Sequence, residues 1–234
     1  MRKEKMFCLG LFLTGWTVMS GCGSPDDRVS NSEVKSICGT TEDFVPINSF
    51  AATPSWVQVR EEAVGRLNKS CTGTYIGSYG GYTNLFITAG HCGAKGAAAS
   101  VEFNFEANAD GPVVVVTGTF IESRNSPDYA LIQLNADPGV APTPLGTSAT
   151  SSLTMIQHPA ARPKVVAFGS LSSSSNSSRI FYSRLDTLGG SSGSGILNAN
   201  GQLVGVHTLG GCRSSGGTNS GWTISGVRTA SSIL

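Results

Sequence analysis

At 234 residues the chain has room for one large all-β domain or two small ones, and a net charge of +1 with 13% charged residues leaves neither a polybasic block nor an acidic tail, which sets nucleic acid aside as a partner. Glycine supplies 30 residues, serine and threonine recur throughout, and predicted helical patterns are few. The composition suits an all-β fold with many turns.

The chain opens with the basic segment Met1-Arg2-Lys3-Glu4-Lys5, then an apolar run over residues 6–19 that is too short to span a bilayer comfortably. Met19-Ser20-Gly21-Cys22 closes the run with small residues and a cysteine. This tetrad resembles the lipobox of bacterial lipoproteins, in which the cysteine is lipidated and becomes the mature N-terminus; an ordinary secretory signal is the alternative. Cysteine arithmetic agrees with the lipobox. Of six cysteines, Cys8 leaves with the signal and Cys22 takes the lipid, so Cys38, Cys71, Cys92 and Cys212 remain as an even set in an oxidising compartment. Residues 1–22 are therefore expected to be a lipoprotein signal, and the protein extracytoplasmic and membrane-anchored. Residues 23–44 read as a tether and N-terminal arm, polar to about Ser36, with irregular chain continuing to Trp56. The main domain is expected over residues 45–234.

Short strand signals then follow one another. The first group is 63–67, 72–76 and 84–88 around a turn at 78–82, then 101–105, 113–119 running on to Phe120 and Ile121, and 130–134. A break over residues 136–152 contains the proline-rich 137–144. The second group is 154–156, 164–168, 180–182, 195–197 and 203–207, with Asn198-Ala199-Asn200-Gly201 as a hairpin turn and the serine-rich 171–178 as an exposed loop. Residues 227–234 are expected to form a short terminal helix. Two groups of short strands, without a fixed short repeat, predict two stacked β-barrels.

One stretch stands out chemically: Leu188-Gly189-Gly190-Ser191-Ser192-Gly193-Ser194-Gly195-Ile196-Leu197. Glycines at this density let the backbone adopt positive φ and approach a bound group. A serine held there beside bare N–H groups suits an acyl-transfer nucleophile. By composition alone the stretch is equally a flexible loop, and Ser191, Ser192 and Ser194 are equal candidates. A base and an orienting acid elsewhere would decide. His91, one of three histidines, lies in Phe86-Ile87-Thr88-Ala89-Gly90-His91-Cys92, and Asp128 heads the apolar strand Asp128-Tyr129-Ala130-Leu131-Ile132-Gln133-Leu134.

Taken in the order His, Asp, Ser, the segments Thr88-Ala89-Gly90-His91-Cys92, Asp128-Tyr129-Ala130-Leu131-Ile132 and Gly190-Ser191-Ser192-Gly193 resemble the signatures of the chymotrypsin/trypsin-like serine peptidases. The likeness runs from about Ala63 to Leu234, and the motif Gly190-Ser191-Ser192-Gly193-Ser194 is similar to that of the bacterial glutamyl and lysyl endopeptidases. It implies two stacked six-stranded antiparallel β-barrels with a short C-terminal helix. It also implies Ser192 as nucleophile, His91 as general base and then acid, Asp128 as the orienting carboxylate, and the N–H groups of Gly190 and Ser192 as the oxyanion hole. A Cys71–Cys92 disulfide would close the histidine loop. A Cys38–Cys212 bond, similar to one in bacterial lysyl endopeptidases, would staple the N-terminal arm to the second barrel. Ser191 stands where the animal enzymes carry the Asp that pairs with a newly cut N-terminus, so that activation switch is not expected. Gly195 replaces the commoner proline.

Specificity signals conflict. Asp186, six residues before Ser192, has the spacing of the acid that selects Arg or Lys in trypsin. His207, fifteen residues after Ser192, resembles the histidine that receives the substrate carboxylate in glutamyl endopeptidases. Thr208 is expected beside Asp128, and Gly210 in the pocket wall. A basic residue before the scissile bond is favoured and an acidic one is the rival; a buried Asp and His could also neutralise each other and leave a pocket for neutral side chains. His158 reads as a loop residue. No cofactor is expected, and no zinc or calcium spacing is present. The expected function is that of a lipid-anchored monomeric serine endopeptidase acting on proteins or peptides. The other reading is a trypsin-like peptide-binding module with weak or no catalysis.

Overall fold

The computed structural model describes residues 35–49 and 54–234. The expected signal, the lipidated Cys22 and the tether before residue 35 lie outside the described residues. Among the described residues no helix is long and apolar enough to cross a membrane.

The chain enters through a two-residue strand, β1 (Val45–Pro46), and a short helix, α1 (Trp56–Glu61). Six strands follow: β2 (Val64–Leu67), β3 (Cys71–Tyr79), β4 (Tyr82–Thr88), β5 (Ala98–Phe103), β6 (Val114–Asn125) and β7 (Asp128–Leu134). They close into an antiparallel barrel in the order β2-β3-β4-β7-β6-β5. Alternation along the strands drives this closure: in β6 Val116 and Phe120 face inward while Val115, Thr117 and Thr119 face solvent. Phe86 and Phe103 meet edge to face inside, ring centroids 5.9 Å apart.

The second half repeats the architecture with β8 (Ser152–Gln157), β9 (Val165–Leu171), β10 (Arg179–Ser183), β11 (Gly195–Leu197), β12 (Leu203–Leu209) and β13 (Asn219–Thr223). Their order is β9-β10-β13-β12-β11-β8, and pairing of β8 with β9 completes the ring. β1 adds to β9, with Val45 opposite Val166. The fold is therefore all-β, two six-stranded antiparallel barrels, followed by the short helix α2 (Ile224–Ala230). Each barrel has its own apolar cluster. A third cluster joins Leu85, Ile87 and Leu131 of the first barrel to Ile156, Leu203 and Val206 of the second, with Ile224 and Val227 of α2. At about 1.5–3 kcal/mol per buried side chain, this cluster fixes one barrel against the other.

Two disulfides are present, Cys71–Cys92 and Cys38–Cys212, with sequence separations of 21 and 174. The second fastens the N-terminal arm to the second barrel, where Ser36 also bridges Thr187 in antiparallel fashion. A buried charge cluster ties α1 to the start of β9: Lys164 Nζ donates to Glu61 Oε2 at 2.6 Å, to the Glu61 carbonyl at 2.7 Å and to Glu106 Oε1 at 2.5 Å.

Some elements depart from the expected boundaries. α1 begins at Trp56, where the stretch read as irregular ends, and forms because Val57 buries completely and the Trp56 indole N–H reaches the Ala199 carbonyl at 3.0 Å. β13 has the sequence Asn-Ser-Gly-Trp-Thr, which lacks a strand alternation; pairing with β10 on one side and β12 on the other imposes it. The terminal helix starts at Ile224 rather than residue 227, because the Thr223 hydroxyl caps it by accepting the Gly226 N–H at 2.9 Å.

Candidate active site

β4 ends at Thr88, and a single 3-10 turn, Gly90–Cys92, follows it. Its neighbour β7 begins at Asp128, with Thr88 opposite Ala130. The end of one strand thus delivers His91 beside the acid that starts the other. His91 Nδ1 lies 2.8 Å from Asp128 Oδ2, and the His91 backbone N–H donates to Asp128 Oδ1 at 3.1 Å. A carboxylate facing Nδ1 places the ring proton there and leaves Nε2 as the basic nitrogen. The hydrogen bond to Asp128 raises the His91 pKa above the usual histidine value, against the opposing effect of burial. The Ser123 hydroxyl steadies the turn at the carbonyls of Gly90 and Gly93, 3.2 and 2.8 Å away, and Cys71–Cys92 ties it to β3.

The glycine–serine turn lies between β10 and β11 and is pinned to both barrels. On the first-barrel side, the Ser192 carbonyl accepts the Thr72 N–H at 2.9 Å and the Gly190 carbonyl accepts the Thr72 hydroxyl at 2.8 Å. On the second-barrel side, the Gly193 N–H donates to the His207 carbonyl at 2.8 Å and the His207 N–H to the Ser194 carbonyl at 2.9 Å. Cys92 Sγ, next to His91 in sequence, is 3.8 Å from the Ser192 carbonyl oxygen. Gly193 has φ +86°, and a Cβ there would stand 2.0 Å from Thr88 Oγ1 and 2.2 Å from the Thr72 carbonyl oxygen; no other residue fits.

Burial separates the three serines. Ser191 and Ser194 are 0% exposed, whereas Ser192 is half-buried. The Ser191 hydroxyl accepts the Leu188 N–H at 3.1 Å. Among the described residues, the Ser192 hydroxyl and the N–H groups of Gly190 and Ser192 take part in no hydrogen bond.

A supporting element went unread in the sequence. The turn Pro159–Ala161 packs against the nucleophile turn, and the Ala160 N–H donates to the Gly189 carbonyl at 2.5 Å. Across a trans peptide, C=O and N–H point opposite ways. Holding the Gly189 carbonyl toward Ala160 therefore turns the Gly190 N–H away from it. Ala160 and Ala161 are left-handed, φ 53° and 55°, at a cost of about 1–2 kcal/mol each. Alanine carries no sequence signal for that conformation. His158 is a loop residue ahead of this turn and is fully buried, and burial followed by the Lys164 charge lowers its pKa to about 3.

Asp186 is 1% exposed and faces the N-terminal arm: Oδ1 accepts the Cys38 N–H at 2.7 Å and Oδ2 the Asp43 N–H at 3.0 Å. His207 is 3% exposed, with Nδ1 hydrogen-bonded to the Tyr182 hydroxyl, and burial followed by the nearby His91 holds its pKa at about 3. No ion pair joins Asp186 to His207 among the described residues. Thr208 ends half-buried near the close of β12, and its hydroxyl makes no hydrogen bond with Asp128. Gly210 backs onto the arm, where a Cβ would meet Ser36 Cβ at 2.6 Å. Among the described residues, the one His/Cys/Asp/Glu grouping tight enough for a metal is Cys71, His91 and Cys92, and its two sulfurs are bonded to each other.

Residues 71–206 match the trypsin-like peptidase domain. No curated protein matches the chain in sequence. Among solved structures, a Glu endopeptidase in complex with MPD is similar at 20% identity and TM-score 0.59, covering 83% of this chain and 97% of its own. The serine endoprotease from Yersinia pestis is similar at 17% identity and TM-score 0.60, with 76% of this chain and 65% of its own covered. The MamO protease domain from Magnetospirillum magneticum follows at 16% identity and TM-score 0.57, with 74% and 96% covered. At these identities the likeness is one of fold. Because the domain match spans more than half of the chain, and the two-barrel fold accompanies it, this protein belongs to the trypsin-like peptidase domain family.

Proposed function

We propose that the protein is a serine endopeptidase in which Ser192, His91 and Asp128 act as a triad. One observation carries the reading: Ser192 is the only accessible serine of a turn pinned between the barrels, its carbonyl oxygen lies 3.8 Å from the Sγ of Cys92, and the preceding residue, His91, is oriented by Asp128. The Ser192 hydroxyl oxygen adds to the substrate carbonyl carbon while His91 Nε2 takes its proton. The N–H groups of Gly190 and Ser192 receive the oxyanion. The C–N bond then breaks, and His91 returns the proton to the leaving amine, leaving an acyl ester on Ser192. Water adds to the ester carbonyl and gives its proton to His91; the ester bond breaks, the proton returns to Ser192, and a new carboxyl terminus leaves.

A fluorophosphonate probe tests this directly. The expected result is one adduct on Ser192, absent in Ser192→Ala. A folded wild-type protein that stays unlabelled near neutral pH would favour the non-catalytic peptide-binding module instead. Ser191, bonded within its own turn to Leu188, supports activity without a newly cut N-terminus. The lipobox-like Met19-Ser20-Gly21-Cys22 supports membrane anchoring through Cys22. Mass spectrometry of the mature N-terminus should show a lipidated cysteine; a bare terminus would mean a secreted soluble enzyme.

A further inference from the structure

An oxyanion hole works when its N–H groups are aimed before the substrate arrives. In a trans peptide the N–H turns with the C=O of the same plane, so whatever holds the carbonyls of the nucleophile turn aims its donors. Four consecutive carbonyls are held here. Gly189 accepts the Ala160 N–H at 2.5 Å, Gly190 the Thr72 hydroxyl at 2.8 Å, Ser191 the Ser194 N–H at 3.1 Å and Ser192 the Thr72 N–H at 2.9 Å. Three of these donors are backbone groups. The Thr72 hydroxyl is the exception, a side chain that a substitution can remove.

The peptide it holds is the central one. The Gly190–Ser191 plane joins the two planes that carry the Gly190 and Ser192 N–H groups. Gly190, at φ +97°, lets those neighbours turn with no side chain to resist them. The Ser191 N–H of the central plane donates to the Leu188 carbonyl at 3.0 Å, and the Thr72 hydroxyl fixes its other edge. That hydroxyl has one proton to give. The His158 N–H donates to the Thr72 oxygen at 3.0 Å, so the hydroxyl proton is directed to Gly190. One oxygen thus ties the nucleophile turn to the chain entering the Pro159–Ala161 turn, which itself holds Gly189. Thr72 is 0% exposed, out of reach of substrate, and its carbonyl accepts the hydroxyl of Thr88 at 2.7 Å, three residues before His91.

We infer that Thr72 is a positioning residue for the reaction: its hydroxyl locks the Gly190–Ser191 peptide and so keeps the Gly190 and Ser192 N–H groups aimed at one oxyanion. The inference rests on the serine-endopeptidase reading of the same site.

The test uses the mature protein and a peptide substrate, with active sites counted by complete reaction with the fluorophosphonate probe. Thr72→Val removes the hydroxyl and keeps the side-chain shape; Thr72→Ser keeps the hydroxyl and removes the methyl. Thr72→Val should lower kcat by about ten- to a hundredfold with KM within about twofold of wild type, the pattern of an interaction made in the transition state alone. Thr72→Ser should restore kcat to within about threefold of wild type. A Thr72→Val enzyme that keeps the wild-type kcat, or a Thr72→Ser enzyme that falls as far as Thr72→Val, overturns the inference and leaves the enzyme reading standing; so does a loss carried by KM alone. A folded wild-type protein that never reacts with the probe overturns both. Should Thr72→Val fail to fold, Thr72→Ala takes its place, and equal kcat values for Thr72→Ala and Thr72→Ser overturn the inference.

Discussion

The Asp128 carboxylate grips His91 at two points, one oxygen on the ring at Nδ1 (2.8 Å) and the other on the backbone N–H (3.1 Å). The double contact fixes both the position of the turn and the tautomer of the ring. Asp128→Asn keeps an acceptor for the backbone but offers the ring an amide, which favours the wrong tautomer. The cost expected in kcat is about ten-thousand-fold, the size of effect established for the type triad of this fold, with little change in thermal stability. Steady-state kinetics beside a melting curve checks it.

The same bond sets the acid limb of the pH–rate profile. Asp128 raises the His91 pKa above 6.5, and a protonated ring cannot accept the serine proton. Activity in kcat/KM should therefore rise with pH through a value above 6.5, and the limb should move to lower pH in Asp128→Asn. The stability effect has the opposite sign: the contribution from protonated His91 is complete below the unfolded-state pKa and is lost as pH rises through the folded value.

Gly193→Ala tests how tightly the nucleophile turn is held. A left-handed alanine costs about 1–2 kcal/mol, and forcing its methyl between Thr88 and Thr72 adds about 1–3 kcal/mol. Urea denaturation should show the sum, and probe labelling of Ser192 should slow sharply. A stable, rapidly labelled variant would mean that the turn is not so constrained.

Lys164 is fully buried between Glu61 and Glu106. Removing it strands two carboxylates, so Lys164→Ala should lose about 3–5 kcal/mol. Replacing Glu61 and Glu106 by Gln in a Lys164→Met background should recover much of that loss. Denaturant titration of the three proteins measures both steps.

His158 and His207 are buried with pKa values lowered to about 3 from 6.5. Both are neutral in the folded state, while the unfolded chain takes up protons from pH 6.5 downward. Stability is thus full above pH 6.5 and declines toward pH 3, by about 1.4 kcal/mol per pH unit for each histidine. His158→Gln should remove its share of that slope, read from unfolding free energies between neutral and mildly acid pH.

What the sequence determined by itself is what neighbouring residues encode. Period-two alternation placed most strands within a few residues, and the short segments around His91, Asp128 and Ser192 are legible because each is a strand end or turn built from its own chain neighbours. The tertiary structure decided the rest. β13 is a strand because two partners make it one, and Ala160 is left-handed because the nucleophile turn needs its N–H. Composition could not rank Ser191, Ser192 and Ser194, since burial separates them. Spacing could not tell where Asp186 and His207 are directed. The groups that satisfy them, Cys38 and Asp43 for one and Tyr182 for the other, arrive from remote chain segments. A buried charge is governed by what surrounds it in space, and that is set only when the chain has folded.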